Sequence, residues 1–351
     1  VNGYRCNRTL RLEAGQSVLP GSLLFAAGLL GNVLALGLLW QHHLKAKLQR
    51  GQGRPRASRL APFHVLLMAL VLTDLLGTCL LSPVVLAAYG QQRKLLQLDW
   101  RLCDYFAFSM SFFSLATMSC LGAMALERSL GMAAPYLYER LLSGRPLALL
   151  LGALAALYGL AAAFCALPLM GFGSYKDYQP GTWCFIHMRP EGRAGAFALL
   201  YASVVLLLFL AVLLGNLVVM VSLCRMYLRR AHTGLPGRAR RPFSMSEELD
   251  HLILLSIMTI IFAVCSLPFT IHAFMNHFSK DYQEKDLLVA MRFLSVNSIV
   301  NPWAFVILRP PVLRLLRSIP CCQIPLKSQP NNRQMPVEQM DSWKTIQYLT
   351  Y

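Results

Sequence analysis

Charged side chains are scarce in this sequence: they make up 14% of the 351 residues, against about 25% in an ordinary soluble domain. Acidic residues are rarest, with 16 Asp and Glu against 33 Lys and Arg, so the formal net charge is +17. Hydrophobic residues reach 56%, and the mean hydropathy is +0.49. This composition argues against a soluble globular protein and excludes a disordered chain, a collagen and a coiled coil.

Motifs for catalysis and nucleotide binding are missing as well. The sequence has no HExxH metal motif, no GxSxG within an apolar run, no phosphate-binding loop and no spaced Cys/His cluster. We therefore expect no enzyme, no catalytic residue, no cofactor and no protein metal centre. The arginines flank apolar runs and do not cover a polar domain, which indicates lipid headgroups, and not nucleic acid, as their partner.

Seven apolar segments are long enough, or nearly so, to cross a bilayer, which takes about 20 residues. They are Leu19–Trp40, Pro62–Gly90, Cys103–Leu126, Leu147–Phe172, Ala196–Cys224, Leu252–Phe274 and Leu287–Leu308. The sequence thus predicts an all-α membrane protein, a seven-transmembrane helix bundle. Its expected parts are an N-terminus (1–18), the bundle (19–308), a short amphipathic helix after span seven (309–322) and a tail (323–351).

The positive charges predict which ends of the spans face the cytoplasm. Of the Lys and Arg residues, 21 follow spans one, three, five and seven, whereas 11 lie on the opposite side. Because cytoplasmic connections carry the excess of Lys and Arg, the N-terminus is expected to be extracellular, in a multi-pass protein of the plasma membrane. The one N-x-S/T sequon, at Asn7, falls on the expected outer side, where glycosylation is possible.

Few ionisable residues lie within the spans, where each costs at least about 2.5–3.5 kcal/mol unless paired or hydrated. Asp74 is in the middle of span two. Its carboxyl group could be protonated, bind a cation such as sodium, or form a structural polar cluster. The amides and hydroxyls available for such a cluster are Asn32, Asn297, Ser298 and Asn301. Glu127 and Arg128 end span three and are compatible with an interfacial, snorkelling arginine.

Arg292 lies inside the outer half of span seven, about 15 Å before Pro302 at 1.5 Å rise per residue. A guanidinium stays charged there and needs an anionic partner, carbonyls or water. Two alternatives remain open: Arg292 binds an anionic ligand, or it pairs with Asp104 or Asp286, the nearest acidic residues at a similar depth.

Prolines and cysteines provide further expectations. Pro83, Pro168, Pro268 and Pro302 each remove a backbone hydrogen bond within a span and so mark bends. Cys103 and Cys184 both lie on the outer, oxidising side, which favours a disulfide that pins the second outer loop across the mouth of the bundle. Cys321 and Cys322, just beyond span seven, are placed for palmitoylation.

The order of these features resembles the rhodopsin-like G-protein-coupled receptors. The resemblance rests on Gly31-Asn32, Leu72-Thr73-Asp74, Cys103, Glu127-Arg128, Cys265-Ser266-Leu267-Pro268 and Asn301-Pro302. The stretches Pro180–Phe185, Arg292–Ser295 and Asn301–Trp303 are similar to those of prostanoid receptors. Within that family the chain looks most like the Gs-coupled E-type prostaglandin receptor, with the D-type receptor next.

The resemblance implies a role for individual residues. Arg292 is expected to bind a prostaglandin carboxylate with help from Thr182, with Tyr89 nearby and with Met110 and Trp183 lining the apolar pocket. For Trp183, packing as an aromatic residue of the loop is an equally weighted alternative to contact with the ligand. For activation and G-protein coupling, the resemblance implies Asp74, Glu127, Arg128, Pro268, Asn297, Asn301 and Pro302.

The function expected from the resemblance is a receptor that raises cyclic AMP through Gs, with membrane lipid, arrestin and receptor kinases as further partners. The alternatives are a D-type receptor with the same mechanism and, in another class, an organic-anion secondary transporter. Asn301 departs from the family, since prostanoid receptors usually have Asp there. We expect this change to affect basal activity and the response to sodium.

Overall fold

The structure, a computed structural model, describes residues 18–51, 62–141, 146–188, 193–232, 243–278 and 284–307. Helices account for most of them. The long helices are α1 (Leu19–Gly51), α2 (Pro62–Gly90), α4 (Trp100–Ala133), α6 (Pro146–Ala166), α7 (Arg193–His232), α8 (Phe243–Phe278) and α9 (Glu284–Ile307). Two short helices, α3 (Leu95–Leu98) and α5 (Pro135–Leu141), flank α4. The expected N-terminus and amphipathic helix lie outside the described residues, as do Asn7, Cys321 and Cys322.

The long helices pack as a bundle in which α4 is the central member. Neighbouring helices contact one another in the order α1, α2, α4, α7, α8 and α9, and α9 returns to contact α1. The helix α6 packs on α4 from outside this ring. Such packing buries the polar faces of α2, α4 and α9 while leucines and valines remain exposed on the outside, as a lipid environment requires.

Six of the described helices are long and apolar enough to cross a membrane, and α9 falls short of that composition. The reason is its polar content, which includes Arg292, Asn297 and Asn301. This 24-residue helix nevertheless packs between α1 and α8 as the seventh member of the bundle.

Span four differs from the prediction at its outer end. It was expected to continue to Phe172, with Pro168 as a bend inside it, but α6 stops at Ala166. Leu167–Met170 form a 3₁₀ turn with Pro168 in its first turn, and Gly171 follows at φ +89°. The Phe172 amide donates to the Leu167 carbonyl, so the turn closes the helix. Pro83, Pro268 and Pro302 do lie inside helices, as expected.

A two-stranded antiparallel hairpin covers one end of the bundle. It pairs β1 (Tyr175–Tyr178) with β2 (Trp183–Ile186), and Tyr178 faces Trp183 across the register. A disulfide joins Cys184 in β2 to Cys103 in α4, which confirms the predicted bridge. We call this unit the outer hairpin.

The turn of the outer hairpin is fixed against the rest of the chain. Gly181 has φ +95°, and a Cβ there would lie 2.7 Å from the Lys94 side chain, so glycine fits both the backbone and the space. The Gly181 carbonyl accepts a 2.7 Å hydrogen bond from the Leu95 amide. At the base of the hairpin, the Tyr175 hydroxyl donates to the Cys165 carbonyl at 2.6 Å, and burial raises the pKa of Tyr175 well above its usual value.

Candidate functional site

A cavity of about 470 Å³ lies inside the bundle beneath the outer hairpin. Its wall is made by α1, α2, α4, α9 and the turn and second strand of the hairpin. This volume falls within the range of about 300–1,000 Å³ that is usual for small-molecule sites.

Arg292 provides the positive charge on this wall. Its side chain is exposed, and it forms no ion pair with Asp104 or with any other side chain that the structure describes. The side chain of Asp286 lies outside the described residues. The pairing of Arg292 with Asp104, one of the two structural alternatives, is therefore wrong for this structure, and the guanidinium is available to an anion in the cavity.

The other four predicted ligand residues line the same cavity as Arg292. Thr182 is almost fully buried, at 2% exposure, in the turn of the outer hairpin, while Tyr89 and Met110 are half-buried on α2 and α4. Trp183 is a packed aromatic of the hairpin and also lines the cavity. Its ring stacks on Tyr178 with centroids 4.9 Å apart, its Nε1 donates to the Gln179 carbonyl, and it still contributes to the cavity wall.

Several hydroxyl groups on the cavity wall were not predicted from the sequence. Thr78 and Ser82 follow Asp74 at intervals of four residues, so all three share one face of α2. Ser114 on α4 and Ser295 on α9 line the wall from the other sides. The interval of four was the available signal, since it places Thr78 and Ser82 on the same face as the one carboxylate inside the span.

The floor of the cavity is a buried polar cluster around Asp74. Asp74 is 3% exposed, and its Oδ1 accepts a 2.8 Å hydrogen bond from Thr117. Asn32 donates to the carbonyls of Gly28 and Ser298, which ties α1 to α9. Among the described side chains, the buried polar atoms without a hydrogen-bond partner include Asn32 Oδ1, Asp74 Oδ2, Asn297 Oδ1 and Asn301 Nδ2. Buried polar atoms of this kind need water or an ion.

Metal coordination of the usual kind is not available in the described parts of the chain, where no group of three or more His, Cys, Asp and Glu side chains could hold an ion. The Asp74 cluster offers one carboxylate oxygen and two amide oxygens without hydrogen-bond partners, which are hard ligands of the kind that non-thiophilic cations prefer.

Arg128 lies near the other end of α4, about 37 Å along the helix from Cys103. Its Nε is 3.7 Å from Glu127 Oε2, and its guanidinium carbon is 3.7 Å from the centroid of the Phe63 ring at the start of α2. Glu127 also accepts a 2.7 Å hydrogen bond from the Tyr138 hydroxyl on α5. The predicted pair is thus part of a group of four residues.

Phe63 and Tyr138 were missed because each reaches the pair from a different helix. Burial, followed by the hydrogen bond to Glu127, raises the pKa of Tyr138 to about 12. The phenol therefore stays protonated at any cellular pH and keeps donating to the carboxylate. No periodicity of the sequence relates Tyr138 to Glu127, since α4 ends between them at Ala133.

Comparison with known proteins identifies the family. Residues 54–305 match the model of the 7 transmembrane receptor (rhodopsin family). The chain is 52% identical over 339 residues to the rat prostaglandin E2 receptor EP2 subtype, covering 92% of this chain and 91% of the relative. The chain belongs to the prostanoid receptors of the rhodopsin family. The receptor is also 44% identical over 338 residues to the bovine prostaglandin D2 receptor, with coverages of 89% and 91%.

A third relative of the receptor is the human prostacyclin receptor, 43% identical over 343 residues, with coverages of 96% and 84%. Membership in this family confirms the seven-helix bundle, and its named members are signalling receptors, not enzymes. The family and the apolar helices make the receptor a multi-pass plasma-membrane protein with a ligand and a G protein as partners.

Proposed function

We propose that the receptor binds an E-type prostaglandin in the cavity beneath the outer hairpin and activates Gs, which raises cyclic AMP. The observation that carries this proposal is the Arg292 guanidinium, which has no described ion-pair partner and projects from the wall of a largely apolar cavity. A fatty acid with a carboxylate at one end and an apolar chain has the complementary chemistry. The E-type ligand is supported by the relatives with about 50% identity, which are prostaglandin E2 receptors.

The carboxylate would form a charge-assisted pair with Arg292, assisted by the Thr182 hydroxyl and with the Tyr89 phenol nearby. Met110 and Trp183 would contact the apolar part of the ligand. Removing one partner of a buried charge pair usually costs about 2–5 kcal/mol of binding free energy. Because Arg292 is exposed before binding, we expect its removal to cost about 2 kcal/mol, or roughly thirty-fold in affinity.

Ligand binding would favour one of two packings of the bundle, as differential affinity for two states requires. In the proposed active state, α8 tilts about Pro268, and α9 moves about Pro302 while the polar residues Asp74, Asn297 and Asn301 rearrange. Arg128 leaves Glu127 to contact the G protein. The end with the outer hairpin would be extracellular. We further propose glycosylation at Asn7, palmitoylation at Cys321 and Cys322, and regulation by arrestin and receptor kinases.

The test measures cyclic AMP in transfected cells that receive graded doses of E-type, D-type and I-type prostaglandins. Arg292→Ala is compared with the parent at matched surface expression, and Arg101→Ala, which removes an exposed arginine outside the cavity wall, is the matched control. We expect the E-type ligand to act at the lowest dose and Arg292→Ala to lose about thirty-fold in potency.

A preference for the D-type ligand would change the proposed ligand and keep the mechanism. The similarity to a prostaglandin D2 receptor is the reason for testing this ligand. No response to any prostaglandin at confirmed surface expression would refute the proposal. Uptake of radiolabelled prostaglandin without signalling would favour the transporter instead.

A further inference from the structure

The cavity does not touch the helix that the proposed mechanism moves. Its described lining residues come from α1, α2, α4, α9 and the outer hairpin, and none of them lies on α6, α7 or α8. Pro268, the proposed pivot, is on α8. Occupancy of the cavity must therefore reach α8 through an intermediate element. One such element is α9, which lines the cavity and packs along α8.

The outer hairpin is a second element that contacts both the cavity and α8. Thr182 and Trp183 line the cavity, and Phe185, two residues further along β2, is fully buried. Alternate residues of a strand point to the same side, so Trp183 and Phe185 project together into the bundle. The Phe185 ring meets Phe269 on α8 edge-to-face, with centroids 5.9 Å apart and an angle of 83°.

Phe269 is the residue immediately after Pro268 and is itself fully buried. Phe185 makes a nearly identical contact with Tyr201 on α7, at 5.8 Å and 81°. One hairpin side chain is thus wedged between two helices at the level of the proposed pivot.

We infer that Phe185 is a positioning residue through which a ligand on Thr182 and Trp183 biases the tilt of α8. This inference rests on the proposed function, because it needs a ligand in the cavity and a G protein that reads the tilt. Phe185 touches neither of them and acts through Phe269.

The hairpin is rigid enough to transmit a small displacement. The Cys103–Cys184 disulfide fixes β2 immediately beside Phe185. The Tyr178 hydroxyl donates to the Ile186 carbonyl and accepts from the Met188 amide, which binds the two strands together just beyond it. Because packed interiors switch between discrete arrangements and do not compress, a shift of β2 against the ligand moves the Phe185 ring against Phe269.

The experiment measures the affinity of tritium-labelled prostaglandin E2 for receptor membranes with and without nucleotide-free Gs. Coupling between two sites is reciprocal, so Gs raises ligand affinity by the same factor by which the ligand favours Gs. We expect Phe185→Leu to reduce this gain by about two- to tenfold, the worth of one edge-to-face aromatic pair, while affinity without Gs stays within about twofold. If Phe185 only filled space, Phe185→Leu would lower the stability of the receptor and leave the gain in ligand affinity from Gs unchanged.

Phe269→Leu removes the same contact from the α8 side and is expected to reduce the gain equally. The double variant is expected to lose no more than either single variant, because both remove one interaction. Phe269→Leu also gives the answer if Phe185→Leu fails to reach the membrane. The control is Tyr201→Leu, which removes the equivalent ring contact on α7 together with a hydrogen bond to the Ser111 carbonyl on α4, and it is expected to keep the gain.

Three results would count against the inference. A full gain in Phe185→Leu overturns it, and so does an equal loss in Tyr201→Leu, which would indicate a general loosening of the core. A parent receptor that binds neither prostaglandin E2 nor prostaglandin D2, or whose ligand affinity gains nothing from Gs, refutes the proposed function, and the inference falls with it. Only the behaviour of the parent separates this last case from the first two.

Discussion

The guanidinium carbon of Arg128 lies 3.7 Å from the centroid of the Phe63 ring, so an arginine of α4 is held against the first turn of α2. Half of the Arg128 side chain is exposed, and its Nε is within 3.7 Å of Glu127. A cation above an aromatic ring gains about 0.5–1 kcal/mol at an exposed site. The arginine proposed to contact the G protein is therefore already engaged on both sides.

We expect Phe63→Leu to raise basal cyclic AMP, because the substitution keeps an apolar side chain and removes the ring that holds Arg128. The expected increase is about two- to fivefold in the active fraction, from a loss of about 0.5–1 kcal/mol. Basal cyclic AMP at matched surface expression measures it. Phe63→Tyr, which retains the ring, is the control and should resemble the parent; an unchanged basal level in Phe63→Leu would show that the contact does not restrain Arg128.

Gly31→Ala should lower the thermal unfolding temperature of the receptor. A Cβ at Gly31 would lie 2.6 Å from Trp303 Nε1, which donates to the Ala27 carbonyl and so cannot move without losing a hydrogen bond. Overpacking of this kind costs about 1–3 kcal/mol. The control is Gly37→Ala on the same helix, where nothing lies within 4 Å of the added atom. We expect Gly37→Ala to be neutral or stabilising, so equal effects of the two variants would contradict the packing argument.

Loss of the Cys103–Cys184 disulfide should abolish high-affinity binding of prostaglandin E2. The bridge holds β2, and with it Thr182 and Trp183, over the cavity. Saturation binding to the Cys103→Ala/Cys184→Ala variant tests this expectation. Cys79→Ala, which removes an exposed free cysteine of α2, controls for the loss of any thiol. Binding that survives in the disulfide variant would mean that the other hairpin contacts are sufficient.

Asp74 should make ligand binding sensitive to sodium. Asp74 Oδ2 and Asn297 Oδ1 are buried without hydrogen-bond partners in the described chain, and both residues border the cavity. A cation held there would favour one packing of the bundle, so we expect sodium chloride to lower agonist affinity in the parent and not in Asp74→Asn. Choline chloride at the same ionic strength is the control. Equal responses of parent and variant to sodium would place the effect elsewhere.

Six of the helices could be predicted from the sequence because hydrophobic length, a local property, identifies each of them, whereas α9 only nearly meets that criterion. At Pro168 the apolar span continues to Met170, but the α-helix gives way to a 3₁₀ turn, a change of local backbone that hydropathy does not show. The family resemblance gave Arg292, Thr182, Tyr89, Met110 and Trp183, which line one cavity, while their roles in binding stay predictions.

Residues that act across helices were not predictable. Phe63 and Tyr138 are unremarkable apolar or aromatic residues in the sequence and gain meaning only from the arginine and the carboxylate that they meet. Phe185 belongs to a loop strand, yet it packs on α7 and α8. Such contacts depend on how helices face each other, which no single segment encodes.

The polar content of α9 has a consequence for biosynthesis. Arg292, Asn297 and Asn301 make this helix a poor substrate for insertion into the membrane by itself, since each polar residue opposes partition into lipid. Insertion of α9 then depends on helices that are already in the membrane. One of them is α1, where Trp303 of α9 packs against Gly31 and Asn32 donates to the Ser298 carbonyl. Substitutions in α1 that disrupt these contacts with α9 should therefore reduce the amount of receptor at the cell surface more than they change the signal of each receptor that arrives there.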